Sequence, residues 1–189
     1  MVIIIIIAVV ASVLAMALSI VLYNTLIARK NEVKNCFASI EAILKQRFDL
    51  IPNLVASVKE SAKFETSTLE KVIAMRQQFG AGRISSEQLQ KIDEESTAAL
   101  RGFMINVEAY PDLKSSQNFV QLQNTLHEVE EQLAAARRTY NSAVTNYNNA
   151  LEMVPTNIIA WMMALSPESL FAIPEAERSN VNVAELFKA

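Results

Sequence analysis

The first 22 residues constrain this chain more than any other stretch of its sequence. From Val2 to Leu22 it reads VIIIIIAVVASVLAMALSIVL, in which Ser12 and Ser19 are the only polar residues. A helix of this length measures about 31 Å, which matches the hydrocarbon thickness of a bilayer. The sequence therefore predicts a transmembrane anchor over residues 1–23.

A cleaved signal peptide is the alternative for this stretch, because Ala15-Met16-Ala17 resembles a cleavage site. However, no basic residue precedes the apolar stretch, and the stretch is longer than the apolar region of a typical signal peptide. These two features favour an uncleaved anchor.

The residues that flank the anchor predict its orientation. Tyr23 lies where aromatic residues meet the membrane surface, and Arg29, Lys30 and Lys34 follow it, while the N-terminal flank carries no Lys or Arg. Because positively charged flanks stay in the cytoplasm, we expect a single-pass protein with its N-terminus outside and the rest of the chain in the cytoplasm.

Small residues recur along one side of the anchor at Ala11, Ala15 and Ser19. Such spacing lets two membrane helices approach closely, so these residues are a candidate surface for self-association. The alternative is that Ala and Ser are simply common in membrane helices.

The composition of the remaining chain predicts an all-α fold. The whole sequence has only three glycines and five prolines, too few for the many tight turns of a β-sandwich. The net charge of −3 comes from interspersed charges and offers no basic stripe, so nucleic acid is not expected as a partner. The single Cys36 cannot form an intramolecular disulfide and is interpreted as a residue at the edge of the core.

Apolar spacing predicts an amphipathic helix after the anchor, through Val33, Phe37, Ile40 and Leu44, and no Gly or Pro separates the two. The following KQRFDLIPNLVASV, residues 45–58, has the features of a corner. Its Pro52 suits the first turn of a new helix, with Asp49 upstream as a possible cap. A second helix then extends towards Gly80 and Gly82, and a third includes Leu89, Leu100, Phe103 and Val107.

The fourth helix has the clearest pattern in the sequence, because its apolar positions alternate steps of three and four without error. This seam consists of Phe119, Leu122, Leu126, Val129, Leu133, Ala136, Tyr140, Ala143, Tyr147 and Ala150. Four helices with short breaks predict an antiparallel up-down-up-down bundle over residues 24–153. In such a bundle the fourth helix returns to the membrane.

Residues 154–189 follow the predicted bundle. Their apolar stretch NIIAWMMAL is too short to span a bilayer. It either lies in the membrane interface or packs on the end of the bundle, and the candidate interface residues are Ile158, Ile159, Trp161 and Met162. We expect the tail from Ser166 to Ala189 to be loosely ordered.

No motif in the sequence points to catalysis, a cofactor or a metal. HEVEE at 127–131 begins like a zinc-protease signature but has Glu131 in place of the second His, and it lies opposite the seam. Asp93, Glu94 and Glu95 are interpreted as solvated charges. We therefore expect no enzyme activity and no cofactor.

Polar residues on the fourth helix are a candidate partner-binding face, namely Arg137, Arg138, Asn141 and Asn148. Helix interiors do not favour Asn, which makes its abundance here notable. The alternative is an ordinary solvated surface.

Three motifs resemble the LemA family of bacterial membrane proteins: RFDLIPNLVASV, AYPDLKSSQNFVQLQ and AAARRTYNSAVTNYNNALEMVPTNIIA. The resemblance extends from Tyr23 to about Ala160. The chain departs from the family pattern at Phe37, Gln46 and Phe64. At the last of these positions the family commonly has His.

The resemblance implies a single-pass protein of the bacterial inner membrane, with a helical bundle and no established catalytic residue. The family includes a magnetosome-membrane relative, and its genes are often found near membrane zinc proteases. The expected function is a membrane-anchored, self-associating scaffold in membrane organisation. The alternatives are an adaptor or regulator of a membrane protease or signalling partner and, with less support, an enzyme. The expected partners are the lipid bilayer, further copies of the chain and a membrane protein.

Overall fold

The computed structural model describes residues 1–59, 73–74, 84–107, 110–111 and 116–172. Its helices are α1 (Val2–Asp49), α2 (Ile51–Lys59), α3 (Ser86–Val107), α4 (Gln117–Glu152) and α5 (Thr156–Met162). No β-strand occurs among the described residues. The prediction of an all-α fold, with an N-terminal apolar helix followed by further packed helices, is confirmed.

The chain divides into two compact units. The first unit comprises Met1–Leu44 and Glu128–Leu170, and the second comprises Lys45–His127 and Phe171–Ala189. Each unit has its own set of buried apolar side chains.

In the first unit, burial begins at Leu26, since every residue of α1 up to Val21 is exposed. The rings of Phe37 and Tyr140 pack with their centroids 6.2 Å apart. The buried apolar residues of this unit are Leu26, Val33, Ile40, Leu44, Val129, Leu133, Tyr140, Ala143, Val144, Tyr147 and Ala160. Burying large apolar side chains of this kind stabilises the fold by about 1.5–3 kcal/mol each.

The second unit buries apolar side chains from the end of α1, from α2, from α3 and from the first half of α4. They are Phe48, Ile51, Leu54, Leu89, Leu100, Phe103, Val107, Phe119, Leu122 and Leu126, together with Phe171. The backbone N–H of Ala172 also donates to Gln90 Oε1 at 3.3 Å. Two residues of the tail that was expected to be loosely ordered are therefore held within this unit.

The seam predicted on α4 is confirmed by burial. Eight of its ten positions are buried, and Ala136 and Ala150 are half-buried. The alternating steps of three and four identified the inward face because they follow the 3.6-residue helical period.

At the corner predicted around Pro52, the structure has a break of one residue between two helices. Pro52 does lie in the first turn of α2, but Leu50 is the only residue between α1 and α2. The N–H of Leu50 bonds to Arg47 O at 3.3 Å, and the N–H of Leu54 bonds to Leu50 O at 3.1 Å. Because helical hairpins need a loop of about two to five residues, this is an interruption in a helical path and not a reversal.

The buried positions also keep their helical phase through this interruption. One series of buried residues runs Ile40, Leu44, Arg47, Ile51 and Leu54, in steps of four, three, four and three, and Phe48, next to Arg47 in the chain, is buried as well. The predicted end of the second helix at Gly80 and Gly82 lies outside the described residues, as does the tail from residue 173 onward.

Candidate functional site

Helix α5 presents an apolar face to the outside of the first unit. Ile158, Trp161 and Met162 are 57%, 83% and 70% exposed, whereas Ala160 is buried. Residues at spacings of three and four lie on one side of a helix, so these three side chains form a single surface. Ile159, the fourth residue predicted at the membrane interface, is half-buried.

A Schellman motif ends α5. The N–H of Leu165 bonds to Ala160 O at 3.1 Å, and the N–H of Ala164 bonds to Trp161 O at 3.1 Å. Ala164 has φ 49°, in the left-handed region. Glycine usually occupies this position because its lack of a Cβ removes the steric cost.

After this motif the chain runs as an extended segment over α4. We call residues 165–170 the strap. Tyr147 Oη donates to Ser166 O at 3.1 Å, and Tyr140 Oη donates to Ser169 O at 3.2 Å. The strap therefore runs in the direction opposite to α4.

Asn148 holds the strap at Glu168, which lies between the two strap residues that the tyrosines bind. Its Nδ2 donates to Glu168 O at 2.9 Å, and its Oδ1 accepts from the N–H of Glu168 at 3.0 Å. The side-chain amide thus pairs with both main-chain groups of one residue. These four hydrogen bonds all reach main-chain atoms of the strap, while the side chains from Ser166 to Leu170 are exposed.

Tyr147 keeps its proton in this setting. Burial, followed by the nearby Glu168 carboxylate, raises the pKa of the Tyr147 hydroxyl above its ordinary value. Both effects disfavour the phenolate, so the hydroxyl remains a hydrogen-bond donor.

The residues predicted as a partner face do not share one exposed surface. Arg137 is buried and lies 3.8 Å from the Glu130 carboxylate, while Arg138 is exposed. Asn141 is half-buried, and Asn148 binds the strap. The predicted partner face is therefore partly covered by the protein's own chain.

The expectation that a loosely ordered tail begins at Ser166 is corrected for the strap, because hydrogen bonds hold Ser166, Glu168 and Ser169 on α4.

The small residues Ala11, Ala15 and Ser19 are exposed on α1. Ser19 Oγ donates to Ala15 O at 2.8 Å, so its hydroxyl is satisfied within its own helix. Among the described residues, one helix is long and apolar enough to cross a membrane, and it contains this segment. Self-association through these residues stays a prediction.

The interpretation of Asp93 as a solvated charge is wrong. Asp93 is 2% exposed, and its Oδ1 lies 3.5 Å from Nη1 of Arg47, which is 4% exposed. The same Nη1 donates to Thr97 Oγ1 at 3.0 Å. Continuing the phase of α3 from Leu89 in steps of four and three reaches Asp93, so the helical period contained the signal.

Metal binding and thiol chemistry find no support in the described residues. No group of three or more His, Cys, Asp or Glu side chains among them is arranged to hold a metal ion. Burial and the Glu32 carboxylate raise the pKa of the half-buried Cys36 thiol. A raised pKa keeps the sulfur protonated at neutral pH and lowers its reactivity as a nucleophile.

Comparisons with known proteins agree with this architecture. "Protein LemA" of Metamycoplasma hominis is 28% identical over 165 residues, which cover 86% of this chain and 74% of that protein. "Magnetosome protein MamQ 2" and "Magnetosome protein MamQ 1" of Paramagnetospirillum magneticum are each 22% identical over 191 residues, covering 88% of this chain and 70% of theirs.

The family assignment rests on a match that extends over most of the chain. The family model described as LemA family matches residues 36–184, which include the α4 seam, α5 and the strap. The apolar stretch of α1, which fits a membrane anchor, precedes the match. This chain belongs to the LemA family.

Proposed function

We propose that this protein is a membrane-anchored scaffold that self-associates at the bilayer and takes part in membrane organisation. The observation that carries the proposal is the exposed apolar face of α5, formed by Ile158, Trp161 and Met162. Such a face costs free energy in water, whereas insertion into a membrane interface offsets that cost.

The register of α1 and α4 supports a membrane contact for α5. Phe37 packs on Tyr140. Twelve residues lead from Tyr140 to the end of α4 at Glu152, and twelve lead from Phe37 back to Thr25. In an antiparallel pair, the end of α4 thus lies at about the level of Thr25, close to where the apolar stretch of α1 ends at Leu22, and α5 follows directly.

The inward faces of the helices are already used inside the fold, so they are not available to a partner. Contacts with other copies would therefore involve the anchor, the outer surface or a segment that leaves its place. Two relatives are named as magnetosome proteins, which accords with a role in membrane organisation.

Trp161 is the single tryptophan of the chain and a direct probe of membrane contact. In vesicles that contain brominated lipids, we expect the full-length protein to show blue-shifted, strongly quenched Trp161 emission. The control is Trp161→Phe with Arg138→Trp, which places the tryptophan at an exposed position about 21 Å before the end of α4. Equal quenching in both proteins, or none in either, would contradict the membrane contact.

Self-association requires its own measurement. Chemical cross-linking of the full-length protein in vesicles, at a high ratio of lipid to protein, should give a ladder of oligomers. If only monomers were found, the proposal of a self-associating scaffold would be wrong. Capture of a second membrane protein in stoichiometric amount would then favour the alternative, an adaptor or regulator.

A further inference from the structure

We propose that the groove between α2 and α4 binds an extended, uncharged peptide segment of a second protein, mainly through the main chain of that segment. The groove has a volume of about 370 Å³ and lies within the second unit, whereas α5 belongs to the first. The site is therefore separate from the membrane contact of α5 and goes beyond the proposed scaffold.

Both helices contribute polar side chains to the groove. Asn53 and Ala56 line it on α2, together with Leu50 at the break between α1 and α2. The lining residues on α4 are Asn118, Gln121, Leu122 and Thr125. Asn118 and Gln121 are exposed, so their amide groups are accessible to a ligand.

The lining argues against two common classes of ligand. None of these seven residues is charged, whereas phosphates and carboxylates are bound mainly by cationic side chains. None is aromatic, whereas nucleobases are held by stacking on aromatic rings. Side-chain amides beside Leu50, Ala56 and Leu122 suit a neutral chain that offers both N–H and C=O groups.

The protein itself shows how a side-chain amide binds an extended segment. Asn148 donates to Glu168 O at 2.9 Å and accepts from the N–H of Glu168 at 3.0 Å. Asn118 and Gln121 bring the same chemical group to the groove, and each can pair with both main-chain groups of one peptide residue. Thr125 Oγ1 donates to Gln121 O at 3.0 Å, and its oxygen can still accept a hydrogen bond from the peptide.

The length of the groove sets the size of the segment. From Asn118 to Thr125, α4 rises by about 10 Å. An extended peptide covers this distance with about three residues. A contact of this size, made mainly by hydrogen bonds that replace bonds to water, predicts weak and reversible binding.

Two of the three stretches by which the chain resembles the LemA family meet at this groove. RFDLIPNLVASV contributes Leu50, Asn53 and Ala56, and AYPDLKSSQNFVQLQ contributes Asn118, Gln121 and Leu122. Core packing accounts for the buried apolar residues of these stretches, but it does not require Asn118 and Gln121, which are exposed. Exposed polar residues in such stretches are typical of binding surfaces.

Selection from a peptide library tests the proposal. The probes are capped heptapeptides with uncharged residues at every position, together with overlapping peptides that cover residues 173–189 of this chain. Full-length protein in nanodiscs is offered the library, and the selected peptides are titrated by fluorescence anisotropy. We expect uncharged heptapeptides to be selected, and methylation of a central main-chain nitrogen to lower their affinity about tenfold by removing a donor.

The chain offers a matched pair of variants. Asn118→Leu with Gln121→Leu removes both amides of α4 from the groove and should lower the affinity for a selected peptide about tenfold or more. Gln123→Leu with Asn124→Leu removes the same two groups from exposed positions of α4 that do not line the groove, and should bind the peptide as the original protein does. All four positions are exposed, so both variants should keep their helicity.

Three results would overturn the proposal: selection of no peptide, equal affinity of the two double variants, or unchanged affinity after methylation. Selection of peptides from residues 173–189 alone would assign the groove to this chain's own C-terminal residues, or to those of a second copy, and would overturn binding of a partner. The scaffold is tested separately by Trp161 quenching and by the oligomer ladder, so either proposal can fail without the other.

Discussion

Arg47 of α1 and Asp93 of α3 form a buried ion pair in the second unit, with Nη1 and Oδ1 3.5 Å apart. Thr97 accepts a further hydrogen bond from the same guanidinium, and Ser96 Oγ donates to the main-chain oxygen of Asp93 at 2.9 Å. The two charges were removed from water together on folding. Each therefore depends on the other for compensation.

We expect Asp93→Ala to destabilise the protein by about 3–5 kcal/mol, because Arg47 would remain buried without its carboxylate. Urea unfolding of the full-length protein in detergent, followed by circular dichroism, measures this change. The control Glu94→Ala alters an exposed carboxylate on the next residue and should change the free energy of unfolding by less than about 0.5 kcal/mol.

The double substitution Arg47→Met with Asp93→Leu separates charge compensation from packing. Replacing both partners by apolar residues of similar size should leave stability within about 1 kcal/mol of the original protein or increase it. A double variant as unstable as Asp93→Ala would show that the pair contributes more than mutual compensation.

The ion pair also shows how far the sequence could be interpreted. The α4 seam was predictable because Phe119 to Tyr147 alternate apolar steps of three and four. Asp93 continues the same kind of phase on α3, although the charge of its side chain alone predicts an exposed position. For buried residues on a regular helix, the period was the better guide.

The strap had no comparable signal. Ser166, Glu168 and Ser169 are held through main-chain atoms and expose their side chains, so no periodicity marks them. The hints lay on α4, where Tyr140 and Tyr147 occupy seam positions and Asn148 stands in a helix interior that does not favour Asn. A buried tyrosine hydroxyl needs a hydrogen-bond partner, and that partner is the strap.

At Pro52, residue propensity identified the right place but not the extent of the break. Pro52→Ala should change stability by no more than about 1 kcal/mol, since a proline in the first helical turn can be replaced without strain. The same urea titration measures this. A loss of several kcal/mol would mean that the interruption at Leu50 is needed for packing.

The raised pKa of Tyr147 predicts that strap docking depends on pH. An unfolded tyrosine ionises near pH 10, whereas folded Tyr147 holds its proton to a higher pH. Its contribution to docking is therefore complete below about pH 10 and is lost as the pH rises through the folded value. A nitroxide attached to Leu170→Cys, in a Cys36→Ser background, should become more mobile when the pH exceeds the pKa of folded Tyr147.

Two tyrosine variants test the origin of that transition. Tyr147→Phe should make the nitroxide more mobile already at neutral pH and remove most of the pH dependence. Tyr23→Phe changes an exposed tyrosine outside the docking surface and should preserve the original profile. Identical profiles for all three proteins would assign the transition to other groups.

The cationic flank of the anchor predicts that the bundle faces the cytoplasm. Glu131 on α4 is exposed and suits a labelling site. In a Cys36→Ser background, Glu131→Cys should resist a membrane-impermeant thiol reagent in intact cells and react after lysis. Labelling of intact cells would reverse the predicted orientation.

The small residues of the anchor predict how copies meet within the membrane. Ala11→Ile with Ala15→Ile adds bulk on one face of an exposed apolar helix, so insertion should persist while close helix contact is blocked. Cross-linking in vesicles should then yield fewer oligomers.

Val9→Ile with Val13→Ile is the matched control for this last prediction, because it adds apolar bulk at the same spacing on the opposite face of α1. It should leave the oligomer ladder unchanged. Equal loss of oligomers in both variants would point to a general effect of anchor bulk. An unchanged ladder in both would show that the small residues of the anchor are not the interface, and would shift the interface to α5 or to the outer surface of the remaining helices.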